Sequence, residues 1–173
     1  LMTVCVDSVP YSDAVDFRSI HDRVSWDAYF MNTAIGTSLR SPDRHTKVGC
    51  VLVKDKVQLS LGYNGLATGI PEDSVDWFSA DKYGRVIHAE MNAILHMPGM
   101  LKDLCGATAY VPLFPCNECA KALMSVGGKG IFRVVYLEKR DTDDTKLSEE
   151  NMKSKGIVLE QYVPQGNKLE VAF

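Results

Sequence analysis

The strongest constraint on this chain is an alternation. From residue 88 to residue 163, helical and strand-like stretches follow one another three times. "HAEMNAILHM" (88–97) runs with helical spacing and stops at Pro98 and Gly99, and "ATAYVPL" (107–113) has the composition of a strand. "NECAKALMSV" (117–126) is helical into Gly127 and Gly128, and "IFRVVYL" (131–137) is again a strand. "DTKLSEENMKSK" (144–155) is a polar amphipathic helix closed by Gly156, and "IVLEQYV" (157–163) is the last strand. Strands joined through helices pair in parallel, with the crossovers packed on the sheet. Upstream, "VGCVLV" (48–53), the turn "KDK" (54–56) and "VQLSLGYN" (57–64) predict a β-hairpin. Before it, "SWDAYFMNTAIGTSL" (25–39) predicts a helix, with Ser25 as N-cap, Asp27 in the first turn, and Trp26, Phe30, Ala34 and Ile35 on an apolar face. The order predicts an α/β fold: a mixed five-stranded sheet, parallel after the hairpin, with helices on both faces.

At 173 residues the chain suits one compact domain. The alternating core places it at 23–163, with an N-terminal arm at 1–22 and a C-terminal tail at 164–173. Residues 1–22 mix Asp, Ser and Pro without periodicity and are expected to form an arm or a short extra element that packs on a neighbouring subunit. A net charge of −3 argues against a surface spread over nucleic acid or membrane. No apolar run approaches the roughly 20 residues that span a bilayer, and "LMTVCVDSVPYSD" has neither the basic start nor the apolar middle of a signal peptide. Five cysteines at uneven spacing do not make a disulfide framework, so a reducing, cytoplasmic setting is expected. Cys50, in an apolar run, and Cys105, before a strand, read as small buried hydrophobes.

Cys116 and Cys119 need another account. They stand three apart at a helix start behind Pro115, so one face carries both sulfurs. A Cys-x-x-Cys is half of many zinc sites, and alone it is also compatible with a redox couple. His88 and Glu90 stand two apart where another helix begins, and His88 alone would read as a cap or a surface group. In an α/β layer the two helix starts can converge at one sheet edge. One histidine and two cysteines then supply three zinc ligands and leave a fourth position for water, the pattern of a catalytic centre. Zinc lowers the pKa of such a water to about 7, and Glu90, offset from the metal, can move its protons. His88-Ala89-Glu90 followed by Pro115-Cys116-Asn117-Glu118-Cys119 matches the H-x-E and P-C-x-x-C signature of zinc nucleobase deaminases.

Over residues 24–163 the chain resembles the deoxycytidylate (dCMP) deaminases of the cytidine deaminase superfamily. The resemblance is carried by "SWDAYFM" (25–31), "TKVGCVLV" (46–53), "GYNG" (62–65), "HAEMNAIL" (88–95) and "YVPLFPCNECAKAL" (110–123). It implies a three-layer cytidine deaminase-like fold and zinc-dependent hydrolysis of dCMP to dUMP and ammonia, which feeds thymidylate synthesis. It makes His88, Cys116 and Cys119 the zinc ligands and Glu90 the proton carrier to ring N3 and then to the departing amine. It assigns the Ala89 backbone N–H to the base O2 and Asn64 to the deoxyribose, although Asn-Gly is also a turn signal. It further implies a homo-oligomer, often a hexamer, activated by dCTP (with magnesium) and inhibited by dTTP, with the loop from Leu66 to Arg85 a candidate effector region.

The chain departs from the family pattern twice. Residues 65–86 hold neither Cys nor His, so the second, structural zinc of some relatives is not expected and one zinc per chain is. Arg140 stands where several relatives place a tyrosine near the substrate phosphate. A guanidinium is a strong phosphate ligand, and Arg40, Arg44, His45 and Lys47 of "RSPDRHTK" (40–47) offer further positive charge. Two rival enzymes share this zinc signature. A deaminase that also takes dCTP fits the same residues. A tRNA adenosine deaminase is disfavoured by the acidic balance and by "SWDAYFM". A catalytically silent relative would be expected to lack Glu90.

Overall fold

The computed structural model describes residues 2–5, 23–164 and 168–171. After the strand β1 (Met2–Cys5) come the helix α1 (Trp26–Ser38) and the hairpin β2 (Gly49–Lys54) and β3 (Val57–Tyr63). The alternating half follows as α2 (Ala89–Leu95), β4 (Thr108–Leu113), α3 (Asn117–Ser125), β5 (Arg133–Glu138), α4 (Asp143–Ser154) and β6 (Val158–Gln161), before a last strand β7 (Lys168–Val171). The main sheet has the order β3-β2-β4-β5-β6. β2 is antiparallel to both β3 and β4, whereas β4–β5 and β5–β6 are parallel. This is the mixed five-stranded sheet that the alternation predicts.

The hairpin closes on Asp55 and Lys56, both with positive φ (52° and 63°), the two-residue geometry that follows the right-handed twist of the strands. Side chains alternate between the two faces of the sheet. Cys50 and Leu52 of β2, Ala109 and Val111 of β4 and Val134 of β5 pack with Ala93 of α2, Leu123 of α3 and Met152 of α4. Val51, Val53, Tyr110 and Val135 point the other way, onto Phe30, Met31, Ala34 and Ile35 of α1. Full burial of each such aliphatic side chain contributes roughly 1.5–3 kcal/mol. The layers are therefore one helix, the sheet, and three helices.

Ser25 caps α1 by accepting from the Ala28 N–H at 3.1 Å, as its position predicts. Asp27 does more than complement the first turn. Its carboxylate receives two hydrogen bonds from the Arg133 guanidinium of β5, at 2.9 and 2.8 Å, and one from the Tyr110 hydroxyl at 2.6 Å.

Two features lie beyond the expected plan. β1 and β7 pair antiparallel as a separate two-stranded sheet, Met2 opposite Val171, within the segments expected as arm and tail. Each strand has four residues and finds its partner at the far end of the chain, so local patterning carries no sign of the pairing. The rest of the expected arm, residues 6–22, lies outside the described residues. The second feature is a pair of short 3-10 turns, Glu72–Ser74 and Ala80–Gly84, inside the long loop that was expected before α2.

Candidate active site

α2 is brought hard against β3. A Cβ at Gly62 would lie 2.3 Å from the Ala93 nitrogen and 2.5 Å from the Ala89 oxygen, so only glycine permits this approach. Ser60 Oγ donates to the Ala93 carbonyl (2.6 Å) and Asn92 Nδ2 to the Tyr63 carbonyl (2.7 Å), which fixes the helix along the strand. Ile87 exchanges backbone hydrogen bonds with Gly65, and the next residue, His88, is the N-cap of α2. Cys116 takes the same position on α3, straight after β4. α4 steadies that start: Ser148 Oγ donates to the Pro115 carbonyl (2.8 Å), and the Asn117 N–H donates to Asp144 (3.1 Å). Neither His88 nor Cys116 uses its side chain to cap its helix. The two side chains face each other instead.

His88 Nδ1 lies 3.3 Å from Cys116 Sγ and 3.5 Å from Cys119 Sγ. All three donor atoms fall within 4.8 Å of one another, and among the described residues these form the one such cluster able to hold a metal. One nitrogen and two sulfurs at this spacing fit zinc, which favours this donor set and accepts a tetrahedral arrangement with one position left over. The electrostatics agree. The hydrogen bond from Cys119 pulls the Cys116 thiol down to about 4, with His88 assisting against the opposing effect of burial. The Cys119 thiol is pushed up, because it keeps the proton the pair shares and is buried beside Glu90. The hydrogen bond with Cys116 holds His88 above its ordinary value. A divalent cation would displace the shared proton and leave both sulfurs as thiolates.

Glu90 is only 4% exposed. Burial lifts its carboxyl above the ordinary range, opposed by its own backbone N–H and by the charge on His88. It lies on the wall of a cleft of about 230 Å³ that His88, Ala89 and Cys116 also line. The site therefore joins a metal-ligand triad to a buried carboxyl of raised proton affinity, in a pocket large enough for a small ring.

The other expected contacts are distributed unevenly. Asn64 lines the cleft, but its side chain is already engaged: Oδ1 accepts from the Val48 N–H and Nδ2 donates to the Thr46 carbonyl, both at 2.8 Å. One amide proton and one lone pair remain on it. Arg140 also lines the cleft and reaches Thr46 Oγ1 at 3.4 Å. Of the nearby acids in sequence, Asp141 pairs with Lys146, Asp143 opens α4, and Asp144 lines the same cleft as Arg140 while accepting from the Asn117 N–H. His45 and Lys47 line an adjoining cleft of about 300 Å³ that shares Thr46, Val48, Leu113 and Arg140 with the first. Lys47 donates to the Ser41 carbonyl, and His45 meets Phe78 edge-on with ring centroids 5.3 Å apart. Arg40 and Arg44 are exposed and line neither cleft. The sequence reading missed Asp43, Tyr83, Phe114, Thr142, Asp144 and Thr145, which also line the cleft. Their only sequence signal is proximity to the motifs on either side.

The family described as the cytidine and deoxycytidylate deaminase zinc-binding region matches residues 24–138. A protein from Drosophila melanogaster named probable deoxycytidylate deaminase is 35% identical over 162 residues, 86% of this chain and 77% of its own length. The Homo sapiens deoxycytidylate deaminase is 31% identical over 168 residues, 92% of each chain. Among solved structures, the dCMP deaminase of cyanophage S-TIM5 superimposes with a TM-score of 0.62 at 23% identity, over 79% of this chain and 96% of that one.

Proposed function

The chain belongs to the cytidine and deoxycytidylate deaminase family, and from that membership we propose that it hydrolyses dCMP to dUMP and ammonia. The observation that carries this is the buried Glu90 carboxyl beside the His88, Cys116 and Cys119 donors, in one cleft that runs on to Arg140. His88 Nδ1 and the two sulfurs would hold the zinc. When bound, the ion supplies a Lewis acid and makes hydroxide available near neutral pH. Glu90 takes the proton of the attacking water, passes it to ring N3, and then delivers a proton to the amine. One C–O bond forms at C4, the C4–N bond breaks, and ammonia departs. The Ala89 N–H donates to O2 of the base and sets the ring's orientation. Asn64 offers its remaining amide proton to the deoxyribose. Arg140 holds the phosphate, with His45 and Lys47 behind it; Arg44 adds positive charge at longer range.

A broader choice of nucleotide has one specific support. The second cleft shares Arg140 and adds His45 and Lys47 against one acid, Glu138, so the base pocket adjoins a space with positive charge for the longer phosphate chain of dCTP. The proposal extends to a homo-oligomer, a hexamer by resemblance, activated by dCTP with magnesium and inhibited by dTTP, working in the cytoplasm to supply dUMP for thymidylate synthesis. No described helix is long and apolar enough to cross a membrane.

Metal analysis and turnover test the chemistry together. Purified protein should carry about one zinc per chain. Chelation should stop dCMP consumption, and added zinc should restore it. Full zinc content in the Cys116→Ser, Cys119→Ser double variant would overturn the ligand assignment.

A further inference from the structure

Asp43 and Lys82 form an ion pair that the proton-transfer chemistry does not use. Each side chain is only 4% exposed, and Lys82 Nζ lies 2.9 Å from both Oδ1 and Oδ2 of Asp43. Desolvating two charges is costly, and a pair this well buried is held only where its geometry and remaining hydrogen bonds compensate. Here they do. Asp43 Oδ1 also accepts the backbone N–H groups of His45 (2.8 Å) and Thr46 (3.1 Å). The carboxylate thus shapes the loop that carries His45, Thr46 and Lys47.

The lysine end is anchored to the opposite wall. The Lys82 carbonyl accepts from the Arg85 and Val86 N–H groups, both at 2.9 Å. The next residue, Ile87, is bridged to Gly65, and His88 follows. Tyr83, next to Lys82, lines the cleft and is 63% exposed at its mouth. The pair therefore joins the segment leading into the metal-ligand histidine to the loop facing Arg140. An exposed edge contact between His45 and Phe78 links the same two segments.

We infer that Asp43 and Lys82 are positioning residues, a buried clasp that sets the spacing between the base end and the phosphate end of the cleft. The inference rests on the dCMP reading above. It assigns the pair a role in discriminating nucleotide from nucleoside. The loop bearing Thr46, His45 and Lys47 faces the phosphate end, whereas the zinc ligands and Glu90 are fixed by α2, α3 and α4.

The test compares kcat and KM for dCMP and deoxycytidine in zinc-loaded wild type, Asp43→Asn/Lys82→Met and Asp43→Glu. The double variant removes both charges together, so no lone charge is left buried. The glutamate keeps the ion pair and lengthens it by one methylene. In both variants KM for dCMP should rise about tenfold or more, the scale of loss from a misplaced binding group. Zinc content should be kept, and kcat/KM for deoxycytidine should fall by a clearly smaller factor than kcat/KM for dCMP. Equal losses on the two substrates would reduce the pair to fold support and overturn the inference. So would an unchanged KM for dCMP in either variant, and Asp43→Glu decides the matter alone if the double variant does not fold. Wild type that leaves dCMP untouched would instead overturn the substrate reading itself.

Discussion

In the proposed reaction Glu90 has two tasks that water would keep apart: it must hold a proton and then release it to a leaving amine. Burial raises its carboxyl above the ordinary range, which favours holding the proton between the two transfers. Glu90→Gln keeps the shape and removes the transfer. This variant should retain zinc and fold yet lose turnover by about a hundredfold or more; near-normal activity would remove Glu90 from the reaction. Gly62 makes a different demand. Its missing Cβ is the space into which α2 fits. Gly62→Ala should cost about 1–3 kcal/mol of stability, as overpacked cores do, and should loosen the His88 end of the metal site. A denaturant midpoint and a zinc-release rate, measured on the same preparation, check both effects. The clustering of His88, Cys116 and Cys119 beside Glu90 was legible in the sequence because each pair lies within four residues at a helix start, where spacing fixes geometry. Asp43 and Lys82 were not. They stand 39 positions apart, and each alone looks like an ordinary solvated charge.

Between elements, the Asp27–Arg133 contact ties the start of α1 to β5 across a sequence separation of 106. The hydrogen bond from Arg133 leads the causes that hold the Asp27 carboxyl below its usual range, against partial burial. A carboxyl depressed in the folded state contributes stability that is present above its unfolded pKa of about 3.9 and is lost as pH falls through the depressed value. Asp27→Asn should therefore lower the denaturation midpoint at pH 7 and have little further effect once wild-type Asp27 is protonated. Parallel urea titrations of both proteins down the acid limb would reveal this convergence; a constant gap across all pH values would contradict it. Element boundaries followed the sequence closely where capping and glycine punctuation are strong, as at Ser25 for α1 and Gly156 after α4. α2 stops at Leu95, short of the expected Met97, because Pro98 denies the last turn its continuation. The terminal strand pair escaped notice because neither four-residue segment has a neighbour in sequence to betray its register.

At the scale of the molecule, the fold sets the start of α2, reached from β3 through the long connection, against the start of α3, which follows β4, and leaves the basic side chains along the cleft's outer end. Regulation would act on this arrangement from outside it. Rate curves against dCMP should steepen with dTTP and flatten with dCTP and magnesium, and sedimentation should find an assembly larger than one chain. Curves that neither triphosphate moves would contradict the effector proposal. The central claim is the substrate, and the most direct measurement is ammonia release from dCMP, dCTP, deoxycytidine and adenosine-containing RNA, side by side on zinc-loaded protein. The account predicts the highest kcat/KM on dCMP, weaker use of deoxycytidine, and none of the RNA. Release from RNA, or from deoxycytidine as readily as from dCMP, would contradict it.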